Sequence, residues 1–353
     1  MSDFLFDLLQ QHDADTVYVC QDKASGLKAM IAIHDTTLGP AAGGIRMKRY
    51  ASEREAMQDA VRLAQAMTYK WAAAGANLGG GKCVVIGDPA SQKTEALLRS
   101  LGRFIQRLNG LFLAGADVGT TIADMDLLAQ ECAYIVPRSE TSGDSGPATA
   151  LGVIQGMRAC LQARYGSSEL QGRSVAVQGI GSVGWSIVEQ LQQAGAVVTI
   201  ADINPQRVKQ LAASLQVTVA SPEEIMKLPV DIYCPCALGA VINDSSISEL
   251  RCQIVCGSAN NQLAEERHGE LLEQRGILYA PDYIVNAGGA VWSVESRAAG
   301  GFNSQRARAA VMHIYETTLA VLDLARAEHI STARAAQLLA ERRISAARAS
   351  NSK

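Results

Sequence analysis

The segment Val175-Ala-Val-Gln-Gly179-Ile-Gly181-Ser-Val-Gly184 constrains this chain more than any other stretch. A largely apolar run, Ser174–Gln178, has the character of a strand buried on both faces. It leads into GxGxxG and then into helical spacing over Gly184–Gln193. Each glycine has a task there. Gly179 makes the tight turn, Gly181 lets a pyrophosphate approach the backbone, and Gly184 permits close helix–strand packing. The helix start offers unpaired N–H groups and the positive end of its dipole. GxGxxG alone is weak, because glycines cluster in ordinary turns, but here both flanks fit. Asp202 follows the next strand, Val197–Ala201, and lies 23 residues after Gly179. A carboxylate there accepts from a ribose 2′-OH and repels a 2′-phosphate, so the pattern predicts a dinucleotide site that favours NAD over NADP. Arg207 nearby reads as a solvated helix residue.

The 353 residues suggest two domains. Hydrophobic residues make up 48% and charged residues 19%, an ordinary balance for a globular protein. The net charge of −3 gives no reason to expect a nucleic-acid or anionic-membrane partner. The start, Met1-Ser2-Asp3-Phe4, carries an acid where a signal peptide needs a base, and no apolar run approaches the ~20 residues of a membrane span. The expected location is the cytoplasm. The eight cysteines form no CxxC and sit mostly in apolar runs, so they read as buried free thiols with no metal site. Disorder is not expected outside the last residues, Ala347–Lys353, which lack apolar anchors.

The first half mixes β-rich runs, Thr16–Cys20 and Leu27–His34, with helical spacing over Glu53–Tyr69 and Thr94–Leu108. The glycine-rich stretch Gly75–Gly81 precedes a strand, Lys82–Ile86. The second half begins with a helix near Ala148–Tyr165 and continues as βαβ units, with later strands at Ile232–Tyr233, Ile254–Cys256 and Ile277–Tyr279. Such alternation argues a parallel sheet with right-handed crossovers. The tail from Ser304 to Arg343 is helical by pattern. The expectation is an α/β chain with a first domain over residues 1–145 and a dinucleotide-binding Rossmann domain over 146–325. A final helix over 325–353 packs back on the first domain.

Two lysines stand out. Lys70 ends an apolar helix, and Lys82 follows Gly79-Gly80-Gly81 and enters the apolar run Cys83-Val-Val-Ile. Most lysines are solvated surface charges. Lys82 has apolar neighbours, and the three glycines are expected to leave space beside it. An ammonium so placed has its pKa lowered by desolvation and by a neighbouring cation, which makes it a usable base. Asp117, in Ala114-Gly-Ala-Asp-Val-Gly-Thr-Thr121, reads by itself as a turn residue or the cap of a helix over Thr120–Leu127.

Several stretches together resemble the leucine, phenylalanine and valine dehydrogenases, relatives of glutamate dehydrogenase. They are 31–44, Met67-Thr-Tyr-Lys70, Asn77-Leu-Gly-Gly-Gly-Lys82, Asp117-Val-Gly-Thr-Thr121, Val177–Gly184, Pro235–Ala240, Gly257–Asn261 and Tyr279–Gly289, in family order. The resemblance implies an N-terminal α/β substrate domain and a Rossmann domain with a cleft between them. It also implies oxidative deamination of an L-amino acid and a homo-oligomer, dimeric or octameric. Carried over by position, Lys82 is the catalytic lysine and Asp117 its partner in proton transfer. Lys70 binds the substrate carboxylate with the Gly43 and Gly44 backbone, beside Met67, and its charge helps to keep Lys82 neutral. Thr149 reaches the nicotinamide amide. Gly179, Ile180, Gly181, Ser182, Val183, Gly184, Asp202, Cys236, Ala237 and Leu238 hold the dinucleotide. Asn260 and Asn261 lie at the nicotinamide ribose and the substrate edge.

The same resemblance assigns four side-chain wall positions: Ala42, Gly115, Ala290 and Ser293. Leucine enzymes carry Leu, Ala, Val and Val there, so every one is smaller in this chain. That predicts a pocket wide enough for Phe or another bulky side chain; refilling by Trp292 or Met67 would instead leave a leucine or valine preference. No cation at these positions would pair a glutamate side chain. Two rival readings are a 2-hydroxy-acid dehydrogenase and a non-catalytic NAD-binding protein. The first would use a paired His, yet none of the five histidines sits in a glycine-rich or strand-end site except His34, which reads as a satisfied strand residue. The second would need no Lys70, Lys82 and Asp117 set.

Overall fold

The computed structural model describes residues 4–136, 144–297 and 300–351, and the chain divides into two compact units. The first comprises 1–143, 296–302 and 340–353; the second comprises 144–295 and 303–339. Among the described residues no helix is long and apolar enough to cross a membrane, and no group of three or more His, Cys, Asp or Glu is placed to hold a metal ion.

The first unit opens with α1 (Phe4–Gln11) and three strands, β1 (Thr16–Asp22), β2 (Leu27–Asp35) and β3 (Ala41–Lys48). Then come α2 (Glu53–Ala73), β4 (Gly79–Ile86), α3 (Glu95–Arg107), β5 (Phe112–Ala116) and α4 (Ile122–Ala129). The sheet order is β1-β2-β4-β3-β5; β1, β2 and β4 pair antiparallel, while β4, β3 and β5 pair parallel. The period of two sorts each strand between two cores. Ala29, Ile31 and Ile33 of β2 join Leu97, Leu101 and Ile105 of α3 and Met125 and Leu128 of α4. Met30 and Ala32 meet Ala56, Ala60, Val61 and Ala64 of α2. Each such Leu or Ile contributes roughly 1.5–3 kcal/mol by leaving water. Side chains cap the helices: Ser52 accepts from Glu55 N–H, Thr94 from Leu97 N–H, and Thr121 forms a capping box with Asp124.

Two features differ from the sequence reading. β3 carries no strand signal strong enough to be read in advance, because Gly43 and Gly44 interrupt it. The glycines 79–81 lie inside β4 rather than in a loop before it. α2 crosses so near that a Cβ on Gly80 would sit 2.1 Å from Thr68 Oγ1. A Cβ on Gly79 would sit 2.0 Å from the Asp35 carbonyl oxygen, and one on Gly81 would sit 2.8 Å from the Phe112 ring. Glycine in a strand here marks close backbone approach, and these three residues leave no space beside Lys82.

The second unit begins with α5 (Gly146–Tyr165), β6 (Ser174–Gln178), α6 (Ser182–Gln193), β7 (Val197–Ala201), α7 (Pro205–Ser214) and β8 (Thr218–Val219). It continues with β9 (Ile232–Pro235), β10 (Ile254–Val255), α8 (Arg267–Gln274), β11 (Leu278–Tyr279), α9 (Asp282–Val285) and α10 (Gly288–Val294). After these come α11 (Ser304–Met312), α12 (Ile314–Glu328) and α13 (Thr332–Asn351). Six parallel strands in the order β11-β10-β9-β6-β7-β8 make a doubly wound Rossmann sheet, with its order reversing beside β6. α13 runs to Asn351, so the helical pattern read to Arg343 continues through residues 347–351. Polar contacts replace apolar anchors there. Arg348 binds the Asp35 carboxylate, and the Asn351 amide donates to the Thr37 carbonyl at 3.2 Å.

Candidate functional site

Lys82 lies mid-way along β4, flanked by β2 and β3, and is 5% exposed. β5 runs parallel to β3 and ends at Ala116, which delivers Asp117 to the same end of the sheet. The two side chains meet, with Lys82 Nζ 2.8 Å from Asp117 Oδ2. Burial pushes the lysine below its ordinary range, against the pull of the Asp117 carboxylate. Burial raises the aspartic acid, but Lys82 and then Arg46 outweigh it and hold the carboxyl below its ordinary range. Asp117 does not cap α4, since Thr121 and Asp124 do.

Gly44, not Gly79–Gly81, makes the room beside this pair. A Cβ on Gly44 would lie 2.6 Å from Asp117 Cβ and 3.2 Å from Lys82 Nζ. Gly43 packs on the neighbouring strand, where a Cβ would meet the Gly81 carbonyl oxygen at 1.8 Å and Met67 Cγ at 3.4 Å. Lys70 is half-buried on α2, three residues beyond Met67 and so on the same helix face. The next residue, Trp71, donates its indole N–H to the Ala42 carbonyl at 2.9 Å. Ala42 is buried. Gly115 pairs with Gly44, and the direction of its missing Cβ is filled by the Val136 carbonyl oxygen, which would be 2.7 Å away. Its small size therefore accommodates residue 136 rather than opening a space.

Arg46 and Asp59 belong to the same cluster and escape the sequence reading. Arg46 Nε donates to Asp117 Oδ2 at 3.0 Å, and its Nη1 donates to Asp59 Oδ2 at 3.2 Å. Arg46 is a cation that joins burial in lowering Lys82. A signal for Asp59 exists: it falls between Ala56 and Ala60 on the apolar stripe of α2, where a buried acid requires cations. His34 is buried, with Nδ1 2.9 Å from the Thr68 hydroxyl.

In the second unit the loop after β6 fits a dinucleotide. Gly179 has φ +93°, and a Cβ there would strike Ala237 Cβ at 2.7 Å. A Cβ on Gly184 would strike the Gly179 carbonyl oxygen at 2.0 Å, whereas one on Gly181 meets nothing within 4 Å. The α6 start carries no side-chain cap, in contrast to α2, α3 and α4, and the N–H groups of its first turn (Ser182, Val183) stand at the loop. Asp202 holds the loop's base, with Oδ2 accepting from Ile180 N–H at 2.8 Å and Oδ1 from Asn204 N–H at 2.7 Å. Each oxygen keeps a lone pair for a ribose hydroxyl. Cys236, half-buried at the end of β9, donates its N–H to the Gln178 carbonyl at 2.8 Å, and Ala237 and Leu238 follow it exposed. All eight cysteines are free thiols.

Thr149 lies half-buried in the first turns of α5, its hydroxyl donating to the Ser145 carbonyl at 3.0 Å. Gly289 of α10 approaches so near that a Cβ would sit 2.3 Å from that hydroxyl. Asn260 is exposed, and its side-chain oxygen accepts from Asn286 Nδ2 at 2.8 Å. Asn261 has a left-handed φ of 52°, and its carbonyl accepts from Ala240 N–H at 2.7 Å. Ala290 and Ser293 lie on α10, where the Ser293 hydroxyl donates back to the Gly289 carbonyl at 2.8 Å.

A family model described as the Glu/Leu/Phe/Val dehydrogenase dimerisation domain matches residues 14–134. One described as Glutamate/Leucine/Phenylalanine/Valine dehydrogenase matches residues 142–206 and 203–351. The chain is similar to leucine dehydrogenase of Thermoactinomyces intermedius, 48% identical over 343 residues, which are 96% of this chain and 93% of that protein. It is similar to valine dehydrogenase of Streptomyces albus, 46% identical over 95% of this chain and 93% of that protein. The crystal structure of L-tryptophan dehydrogenase from Nostoc punctiforme aligns at TM-score 0.88 and 40% identity, covering 98% of this chain and 99% of that one.

Proposed function

The chain belongs to the Glu/Leu/Phe/Val dehydrogenase family, and on that premise we propose that it oxidises an apolar L-amino acid to its 2-oxo acid and ammonia, reversibly, with NAD. It is an NAD(P)-dependent amino-acid dehydrogenase. The choice of NAD rests on the Asp202 carboxylate, whose charge disfavours a 2′-phosphate. The observation that carries the reaction is the buried contact of 2.8 Å between Lys82 Nζ and Asp117 Oδ2.

Bound dinucleotide supplies the acceptor for the hydride on the substrate Cα, leaving an iminium on the amino acid. Lys70, with the Gly43 and Gly44 backbone, holds the substrate carboxylate and fixes which face of Cα reacts. Neutral Lys82 takes a proton from the water that attacks the iminium carbon. Asp117 takes that proton from Lys82 and gives it to the amine, and Lys82, again neutral, accepts the hydroxyl proton as the C–N bond breaks and the carbinolamine collapses to oxo acid and ammonia. Thr149 and Asn260 orient the nicotinamide end, Asn261 meets the substrate edge, and Cys236, Ala237, Leu238 and the loop from Gly179 through Ile180, Gly181, Ser182 and Val183 to Gly184 bind the rest of the dinucleotide. The residues described for the dimerisation domain support a homo-oligomer.

For the side chain we propose a wall at Ala42, Gly115, Ala290 and Ser293 that admits aromatic as well as branched aliphatic groups, because all four side chains are small. Steady-state kinetics with Leu, Val, Phe and Trp, each with NAD and NADP, measure this. A preference for Leu above about tenfold over Phe and Trp would remove the wide wall. Lys82→Ala is expected to abolish turnover while NADH binding stays within about twofold; retained turnover overturns the mechanism. Reduction of the 2-oxo acid must require ammonia, and ammonia-independent reduction would mark a 2-hydroxy-acid dehydrogenase instead.

A further inference from the structure

Lys82, Asp117, Arg46 and Asp59 form a line of alternating charge within the first unit. Lys82 Nζ and Arg46 Nε share one oxygen, Asp117 Oδ2, at 2.8 and 3.0 Å. Arg46 Nη1 is tied to Asp59 Oδ2 at 3.2 Å. Asp59 is itself held by the Tyr50 hydroxyl at 2.7 Å, by Arg62 Nη2 at 3.0 Å and more loosely by Lys48 Nζ at 3.9 Å. On the loop side, Lys93 Nζ binds the Gly119 carbonyl at 3.1 Å and Asp124 at 2.7 Å. These groups, from β3, β4, α2 and the loops flanking α3 and β5, are charges of the described residues tied to the pair or to its neighbours, and Lys70 stands on the same helix as Asp59.

The deamination read above requires Lys82 to be neutral while Asp117 is ionised. With Lys82 as the sole cation beside it, a buried Asp117 would lose all compensation when the lysine gave up its proton, and the pair would retain that proton. A guanidinium does not deprotonate in this range, so its charge persists when that of Lys82 is gone. Its rigid fork, gripped by two carboxylates, also prevents the Asp117 carboxylate from rotating.

We propose that Arg46 is a positioning residue of the deamination: anchored on Asp59, it fixes the Asp117 carboxylate against Lys82 and supplies the permanent positive charge that lets Lys82 be neutral beside it. This rests on the reading of Lys82 as the base. The test is the pH dependence of kcat and KM in the deaminating direction for Arg46→Gln, Arg46→Lys, Asp59→Asn and Lys82→Ala, with melting temperature and NADH binding measured on each. Removal of a cation raises the apparent pKa of the base, so in Arg46→Gln the rise of kcat moves to higher pH by about one unit. At the wild-type optimum kcat falls about 10- to 100-fold, while KM for the amino acid stays within about threefold. Asp59→Asn lowers kcat by less and does not carry the profile to higher pH, because Asp59 itself raises Lys82, and Arg46→Lys shows only part of the Arg46→Gln shift.

A kcat loss with an unmoved pH profile, or a loss confined to KM, overturns the assignment. If Arg46→Gln does not fold, Arg46→Lys decides: a profile coincident with wild type overturns it. An active Lys82→Ala would defeat the underlying mechanism. An inactive Lys82→Ala beside an unshifted Arg46 series would defeat this inference alone.

Discussion

At the scale of single residues, the chemistry rests on charges that would be costly to bury singly and are made tolerable in company. Lys82 alone in a buried strand would be deprotonated or would open the sheet; Asp117 meets it, Arg46 shares the carboxylate, and Asp59 closes the line. The sign of each partner's influence gives a second test. Asp117 raises the pKa of Lys82, whereas Arg46 lowers it. Asp117→Asn should therefore carry the pH profile of residual turnover toward lower pH, opposite to Arg46→Gln. It should also cut kcat by about 10²- to 10⁴-fold through loss of the proton partner. A pH–rate series on the purified variant checks both, and a shift to higher pH would contradict the ion pair as described.

At the scale of elements, two glycines of one loop have separable jobs. Gly184 is a packing residue, because a Cβ would lie 2.0 Å from the Gly179 carbonyl oxygen. Gly181 is open, with nothing within 4 Å of a Cβ, and its φ of −65° suits any residue. Gly184→Ala should destabilise the second unit by about 1–3 kcal/mol, seen as a lower melting temperature. Gly181→Ala should melt within about 2 °C of wild type and yet bind NADH at least about tenfold more weakly, since its methyl occupies the approach to the uncapped α6 start. Calorimetry paired with a fluorescence titration separates the two; unchanged NADH affinity in Gly181→Ala would contradict the placing of the pyrophosphate. Close approach explains β4 in the same terms, with Thr68 of α2 excluding every side chain at residue 80.

At the scale of the whole molecule, the C-terminal residues 340–353 belong to the first unit, and beside Arg348 and Asn351 the side chain of Arg343 ties them to it. Arg343 Nη1 donates to the carbonyls of Trp71, Ala72 and Ala76 at 3.3, 2.9 and 2.8 Å, and its Nη2 donates to the Gly75 carbonyl and Asn77 Oδ1, both at 2.8 Å. These oxygens stand at the C-terminal end of α2 and in the turn after it, where the helix dipole also favours a cation. The residues just before them carry Lys70. Arg343→Ala should lower stability by about 1.5–3 kcal/mol and raise KM for the amino acid, leaving NADH affinity unaltered. Denaturation and steady-state kinetics measure this, and an unchanged KM would detach the tail from the substrate side.

Strand–turn–helix contacts are local, so the dinucleotide loop from Val175 to Gly184 and Asp202 beyond it are legible residue by residue, and with them the Rossmann half of the fold. The parallel sheet is legible too, from alternating apolar runs and helical stripes. β3 is not, because its glycines hide the period of two, and neither are the polar contacts of Arg348 and Asn351 at the end of α13, whose partners lie some three hundred positions earlier. Lys82 stands out by its apolar surroundings and Asp117 only through family resemblance; Asp59 leaves a trace as an acid on the apolar stripe of α2, and Arg46 leaves none. Arg46 and Asp117 are 71 residues apart, and only the register of β3 with β5 sets them side by side. A charge pair of that kind leaves no periodic trace along the chain: its energy depends on the burial and distance that the folded sheet alone creates.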